Sequence, residues 1–176
     1  MYSYPNLESI HEYSPGLIRV QSTIGVIPME FLMRPIGVIH SPFTEKSNTP
    51  VQASRSRAKG SVDIYPEFTD GLQDLEGLSH IFLLYVFHAS TGYSLVVKPF
   101  LDDRMHGLFS TRYPYRPNPI GLSLVQLLGR NGNTLEIEGV DVLEGTPLLD
   151  IKPYVPEFDV RTPVRIGWYA TRNEKS

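Results

Sequence analysis

The sequence predicts an all-β domain, a sandwich or a barrel. Short runs of β-branched and aromatic residues recur along the chain with turn residues between them. Helical spacing is confined to one or two turns. No strand–helix–strand rhythm, Gly-x-Gly-x-x-Gly or Walker loop is present, so a Rossmann unit and a P-loop are excluded.

At 176 residues the chain fits one domain with an appendage and can bury a core. A net charge of −3 argues against a uniformly basic nucleic-acid binder and leaves room for a local basic groove. The lack of cysteine excludes disulfides, thiolate metal sites and a cysteine nucleophile. No run has membrane-span length and no signal peptide opens the chain, so the expectation is a cytoplasmic protein without membrane contact.

Residues 1–31 are polar and punctuated by Tyr2, Tyr4, Pro5, Tyr13 and Pro15, and read as an N-terminal extension. Within it the more apolar Leu17–Ile27 suits an edge strand. Pro35–His40 reads as the first core strand, stopped by Ser41-Pro42. Thr44–Gln52 is a polar connection, and Arg55-Ser56-Arg57-Ala58-Lys59 a short basic run that reads as a solvated turn. Gly60–Tyr65 alternates, with Val62 and Ile64 on one face, and is a strand. Pro66–Gly77 places Phe68, Leu72 and Leu75 at the spacing of one or two helical turns. Leu78–His88, the longest apolar run, reads as a central strand buried on both faces. Leu95–Val97 is a short strand and Leu101–His106 a charged loop. Ile120–Leu128 and Thr134–Val140 are strands joined by a hairpin turn at Gly129–Asn133. Pro163–Ala170 reads as a final strand carrying Trp168. The main domain is thus expected over 32–170, with a polar tail at 171–176.

Chemistry concentrates in two stretches. In Gly107–Ser123, Pro114, Pro117 and Pro119 fix their own φ and push the preceding residues into extended backbone. Tyr113, Arg116 and Asn118 therefore sit on a stiff rail, with Arg112 just upstream. Two guanidinium groups and an amide on a pre-stiffened segment suit a planar or anionic ligand, because little entropy remains to be lost. The other reading is a Pro-rich surface connection. In Glu144–Tyr154, Gly145 permits a turn, Thr146 offers a hydroxyl, and Pro147 and Pro153 stiffen the ends. Asp150 and Lys152 share a face, either as an exposed ion pair or as an acid and a cation aimed into one cleft; Tyr154 offers a stacking face for a base. His80 and His88 lie an even number apart and could share one side of a strand. No metal-ligand spacing accompanies them, so they read as histidines at strand ends.

Pro35-Ile-Gly-Val-Ile-His-Ser-Pro42, Pro50-Val-Gln52, Leu75–Ile81, Phe87-His88, Gly107–Ser123 and Asp141–Tyr154 follow, in order, the motifs of a known family. Over roughly residues 34–156 the sequence resembles the TsaA-like, TrmO-type tRNA methyltransferases. The resemblance implies a compact β-barrel that works as a homodimer. It also implies methyl transfer from S-adenosylmethionine to N6 of the threonylcarbamoyl-adenosine beside the tRNA anticodon. Carried over by position, the cofactor side would use Ala53, Ser54, Arg55, His88, Ala89, Arg112, Leu122, Glu144, Gly145, Thr146 and Pro147. Arg116, Asn118, Asp150, Lys152 and Tyr154 are the candidates for the acceptor side. The carbamoyl group makes N6 less nucleophilic and its proton more acidic, so Asp150 or Asn118 would hold or take that proton. The donor is already activated, so positioning carries most of the task without a metal.

Tyr113 replaces the family's usual Ser, and Glu144 its usual Asp. Longer members carry a second domain after the stretch that ends near Tyr154, so tRNA would be gripped by a local patch drawn from Arg55, Arg57, Lys59, Arg104, Arg112 and Arg116. Two alternatives stand beside this reading: the same donor with another acceptor, a small molecule or other RNA, and a non-catalytic barrel that binds RNA or a nucleotide.

Overall fold

In the computed structural model, residues 18–24 and 27–171 are described. The chain divides into two compact units, Met1–Pro35 and Ile36–Ser176. In the first, β1 (Ile18–Ile24) pairs antiparallel with β2 (Ile27–Met33). The edge strand expected near 17–27 is thus one arm of a hairpin. Residues 1–17, 25 and 26 of the expected extension and 172–176 of the tail lie outside the described residues.

The second unit holds β3 (Gly37–His40), β4 (Lys59–Ile64), β5 (His80–Val86), β6 (Val96–Val97), β7 (His106–Gly107), β8 (Ile120–Asn131), β9 (Thr134–Glu138), β10 (Thr146–Pro153) and the short α1 (Pro156–Asp159). Six strands close an antiparallel barrel in the order β10-β3-β4-β9-β8-β5. Closure leaves the barrel without a sheet edge. Among the described residues, no helix is long and apolar enough to cross a membrane.

The barrel interior follows from strand alternation. Ile39, Val62, Ile81, Leu83, Val125, Leu135, Ile137 and Leu148 point inward and are fully buried. β8 alternates from Gly121 to Leu128: Gly121, Ser123, Val125 and Leu127 face in, while Leu122, Leu124, Gln126 and Leu128 face out. Its hairpin with β9 turns through Gly132 at φ +60°, a left-handed backbone that glycine adopts without a steric penalty.

Three expectations need correction. β5 is not buried on both faces: Ile81, Leu83 and Tyr85 are buried, while His80, Phe82 and Leu84 line a half-buried outer face. The strand ends at Val86, so the even spacing of His80 and His88 does not put them on one side of it. Pro163–Ala170 forms no strand; Gly167–Ala170 is a 3-10 turn. There Trp168 stacks between His106 (centroids 4.3 Å apart) and Tyr169 (3.8 Å), and its Nε1 donates to Ser110 O at 2.9 Å. Aromatic stacking on the β7 excursion, not strand pairing, decides that segment. Pro66–Leu72 and Leu75–Gly77 are the expected helical turns, in 3-10 form.

Two details position side chains. A Cβ on Gly121 would run into the Tyr85 ring, which lies over it. Gly121→Ala is expected to destabilise the barrel by about 1–3 kcal/mol, as overpacking does, read as a lower urea midpoint with an unchanged m-value. An unmoved midpoint would mean that the ring swings aside freely. Second, β10 carries a bulge: Leu148 faces Tyr85, but Asp150 faces Leu84, with Leu149 as the extra residue. The bulge resets the pleat, so Asp150 joins the outer face instead of entering the core beside Leu148.

Candidate functional site

The site lies on the outer wall of the barrel. A cavity of about 460 Å³ opens against the outer faces of β5 and β8. Phe82, Leu122 and Leu124 form its apolar wall, Ser54 and Arg112 stand among its polar lining, and Ala53 lies beside them. This volume lies in the small-molecule range. The 3-10 turn Ala53–Arg55 brings the first two residues to the wall. Arg112 Nη1 donates to Gln52 Oε1 at 2.9 Å and ties the proline rail to that turn.

A buried polar chain runs from the barrel interior to the cavity, where Ser123 and Asp141 line it. Ser123 Oγ donates to Asp141 Oδ1 at 2.5 Å, and Tyr85 Oη lies 3.0 Å from Ser123 Oγ. Ser123 has one hydroxyl proton and gives it to Asp141, so Tyr85 donates to Ser123. The Ala53 N–H and Asp141's own N–H also donate to the Asp141 carboxylate. Burial pushes both the Asp141 carboxyl and the Tyr85 hydroxyl up; Ser123 offsets part of the rise in each. Ser123, Asp141 and Gln52 all line the cavity, and reasoning on the sequence passed them over. One signal pointed to Asp141: it is the lone ionisable residue in the apolar run Val140-Asp141-Val142-Leu143.

Four of the cofactor-side candidates, Ala53, Ser54, Arg112 and Leu122, line this cavity. Arg55 is exposed on the same turn without lining it. The others gather where β10 begins. Thr146 is buried, its Oγ1 donates to Leu143 O at 2.7 Å, and it lies 3.4 Å from His88 Nδ1. Gly145 turns at φ +75°, and Pro147 lies opposite Val38. Lys46 Nζ donates to Ala89 O (2.7 Å) and to Tyr115 Oη (2.9 Å), which joins that region to the rail.

Glu144 is held on both oxygens. His40 Nδ1 donates to Oε1 at 2.6 Å, and Ser41 N–H donates to Oε2 at 2.7 Å. His40 Nε2 lies 3.3 Å from Asp63. The Glu144 bond, with Asp63 adding, raises the His40 pKa above its ordinary 6.5, and His40 with Ser41 lowers that of Glu144 below 4.5. A raised histidine stabilises fully below its unfolded value and is lost as pH rises through the folded one. A lowered carboxylate stabilises fully above its unfolded value and is lost as pH falls through the folded one. The clamp is therefore strongest between about pH 4.5 and 6.5. His40→Gln should remove that hump from a plot of melting temperature against pH; because the pair is exposed, the hump is small.

On the acceptor side the cross-strand register decides. Asp150 lies opposite Leu84, and Leu84 opposite Leu122; Lys152 lies opposite Phe82, and Phe82 opposite Leu124. Asp150 and Lys152 thus share the outer face with the cavity wall: Lys152 is one strand spacing from Phe82, and Asp150 is two, or about 10 Å, from Leu122. They form an ion pair at 2.8 Å, and Asp150 Oδ1 accepts the Ile151 N–H at 2.9 Å. Tyr154 packs edge-on to Phe82 (5.7 Å) and His80 (6.3 Å) beside them. Arg116 behaves differently: its Nη1 reaches the carbonyls of Thr111 (3.0 Å), Tyr113 (3.3 Å) and Leu108 (3.4 Å), so it clamps the rail. Asn118 is exposed at the rail's end. Arg104 is engaged by the buried Asp102; Arg57 lines the cavity and lies 3.6 Å from Glu138, and Arg55 and Lys59 are exposed on either side of it in sequence.

The family described as tRNA-methyltransferase O N-terminal domain matches residues 38–160. A probable S-adenosyl-L-methionine-binding protein of Pyrococcus abyssi is 56% identical over 81% of this chain and 78% of its own length. The human tRNA (adenine(37)-N6)-methyltransferase is 39% identical over 73% of this chain but only 31% of its own. The crystal structure of TrmO from Pseudomonas aeruginosa superposes with a TM-score of 0.67 at 39% identity, covering 79% of this chain and 62% of that one. The chain thus spans less than two thirds of these two longer relatives. The barrel and the motif order both fit this relationship, and the chain belongs to the TrmO family of S-adenosylmethionine-dependent methyltransferases.

Proposed function

We propose that this chain transfers a methyl group from S-adenosylmethionine to N6 of the threonylcarbamoyl-adenosine next to the tRNA anticodon. The observation that carries the reading is the shared outer face: Leu122 and Leu124 of the cavity stand one strand away from Leu84 and Phe82, which stand one strand away from Asp150 and Lys152. The cavity fits the cofactor by its donor set. Arg112 suits the carboxylate, and Phe82, Leu122 and Leu124 suit the apolar faces. S-adenosylmethionine, when bound, supplies an activated methyl on a sulfonium.

The chain's own residues do the rest. Asp150 Oδ2 takes the N6 proton, which the carbamoyl group has acidified. Lys152, paired with that oxygen, keeps the carboxylate in place. Tyr154 presents a face on which the adenine stacks. Arg116 and the three prolines hold the rail beside the cavity. Arg55, Arg57 and Lys59 meet tRNA phosphates, so affinity falls with salt. We further propose a homodimer, supported by Ile120 and Leu128, exposed at 36% and 40% on the outer face of β8 beside the cavity wall.

The deciding experiment is methyl transfer from labelled S-adenosylmethionine to tRNA with and without the threonylcarbamoyl group. Label only in the modified tRNA is the expected result. Cofactor binding without transfer to either tRNA would leave the donor and overturn the acceptor. Neither transfer nor binding would overturn the proposal as a whole.

A further inference from the structure

We infer that Asp141 is the receptor for a ligand's α-ammonium group, so that Asp141 and Arg112 together make the cavity a reader of an amino-acid zwitterion. The inference rests on the cofactor reading above and deepens it.

A carboxylate taken from water is costly unless its lone pairs are filled. Asp141 is mostly withdrawn from solvent, and three donors reach it: Ser123 Oγ, the Ala53 N–H and its own backbone N–H. The Tyr85–Ser123 chain runs one way and ends on Asp141, because Ser123 has no second proton to give. The chain therefore fixes the Asp141 carboxylate in place at the cavity wall. A carboxylate offers about four lone-pair sites, so three donors leave room for one more at a residue that lines the cavity. Burial pushes its carboxyl up, and Arg112 nearby pulls the other way.

Arg112 brings the opposite sign to the same cavity and is held at its mouth by Gln52. A group with a carboxylate and an ammonium on one carbon matches this pair; a neutral nucleoside matches neither member. Between the two cations of S-adenosylmethionine, the ammonium fits better. It carries three N–H donors for the open lone pair, whereas a sulfonium carries none.

Calorimetry on the wild type and Asp141→Asn with three probes tests this. S-adenosylmethionine carries both cations, S-adenosylhomocysteine only the ammonium, and 5′-methylthioadenosine neither. Asp141→Asn is expected to weaken the first two about equally, by roughly 30-fold, the loss of one charge-assisted contact, and to leave the third unchanged. A loss confined to S-adenosylmethionine would assign Asp141 to the sulfonium and overturn the inference. An equal loss for all three would make its role structural, and no loss would remove it from the site. If the wild type binds none of the probes, the cofactor reading itself fails, and this inference with it. Should Asp141→Asn fail to fold, Ser123→Ala keeps the carboxylate and removes its donor. It should then weaken the two amino-bearing probes and spare 5′-methylthioadenosine; parallel effects on all three would again overturn the inference.

Discussion

Asp150→Ala is expected to lower the turnover number by about 100- to 1,000-fold, the range of a positioned general base, without changing the affinity for S-adenosylmethionine. The separation follows from geometry. Asp150 stands on β10, across β5 from the cavity, and is absent from its lining. Its carboxylate is fixed by the Ile151 N–H and Lys152 Nζ, so alanine removes a placed acceptor from a half-exposed position and leaves the core intact. Asp150→Asn should lose as much, since an amide keeps the shape but is no base. Lys152→Ala should lose less, because it frees the carboxylate without deleting it. Single-turnover rates alongside calorimetric Kd values check this. A fall in affinity equal to the fall in rate would remove Asp150 from the chemical step.

Arg112→Ala is expected to raise the Kd for S-adenosylmethionine by about 30-fold, the equivalent of roughly 2 kcal/mol for one hydrogen bond to a charged group. Arg112→Lys should fall between, because lysine keeps the charge and loses the planar fork. The decarboxylated analogue of S-adenosylmethionine provides the control. It lacks the group that Arg112 is proposed to hold, so its affinity should be far less sensitive to the substitution. Equal losses for both ligands would mean that Arg112 acts by holding the Gln52 turn in place.

The strands of the barrel were legible because alternation is a local signal: Val62 and Ile64 on β4, and Gly121 to Leu128 on β8, declare their inward faces within a few residues. Segments set by distant partners were not. Trp168 sits in a β-like run, yet its place is decided by His106 and Ser110, far away in sequence. The Leu149 bulge is invisible for a related reason. Leu148, Leu149 and Ile151 are all apolar, so the sequence carries no mark of where the pleat is reset. At the site, the motifs brought Arg112, Ala53, Ser54 and Leu122 to one cavity. Asp141 escaped because no spacing links it to Ser123 and Tyr85; the barrel brings them together.

The last barrel strand has a consequence for biosynthesis. β10 lies between β3 and β5, and its entry pairs His40 with Glu144, 104 residues later in the chain. Until the ribosome has released residues 146–153, the nascent sheet keeps two raw edges, on β3 and β5. Such long-range closure is slow and leaves strand edges open to other chains. A product that stops short of Pro153 would therefore have no closed state to reach, and would be a substrate for chaperones and proteases.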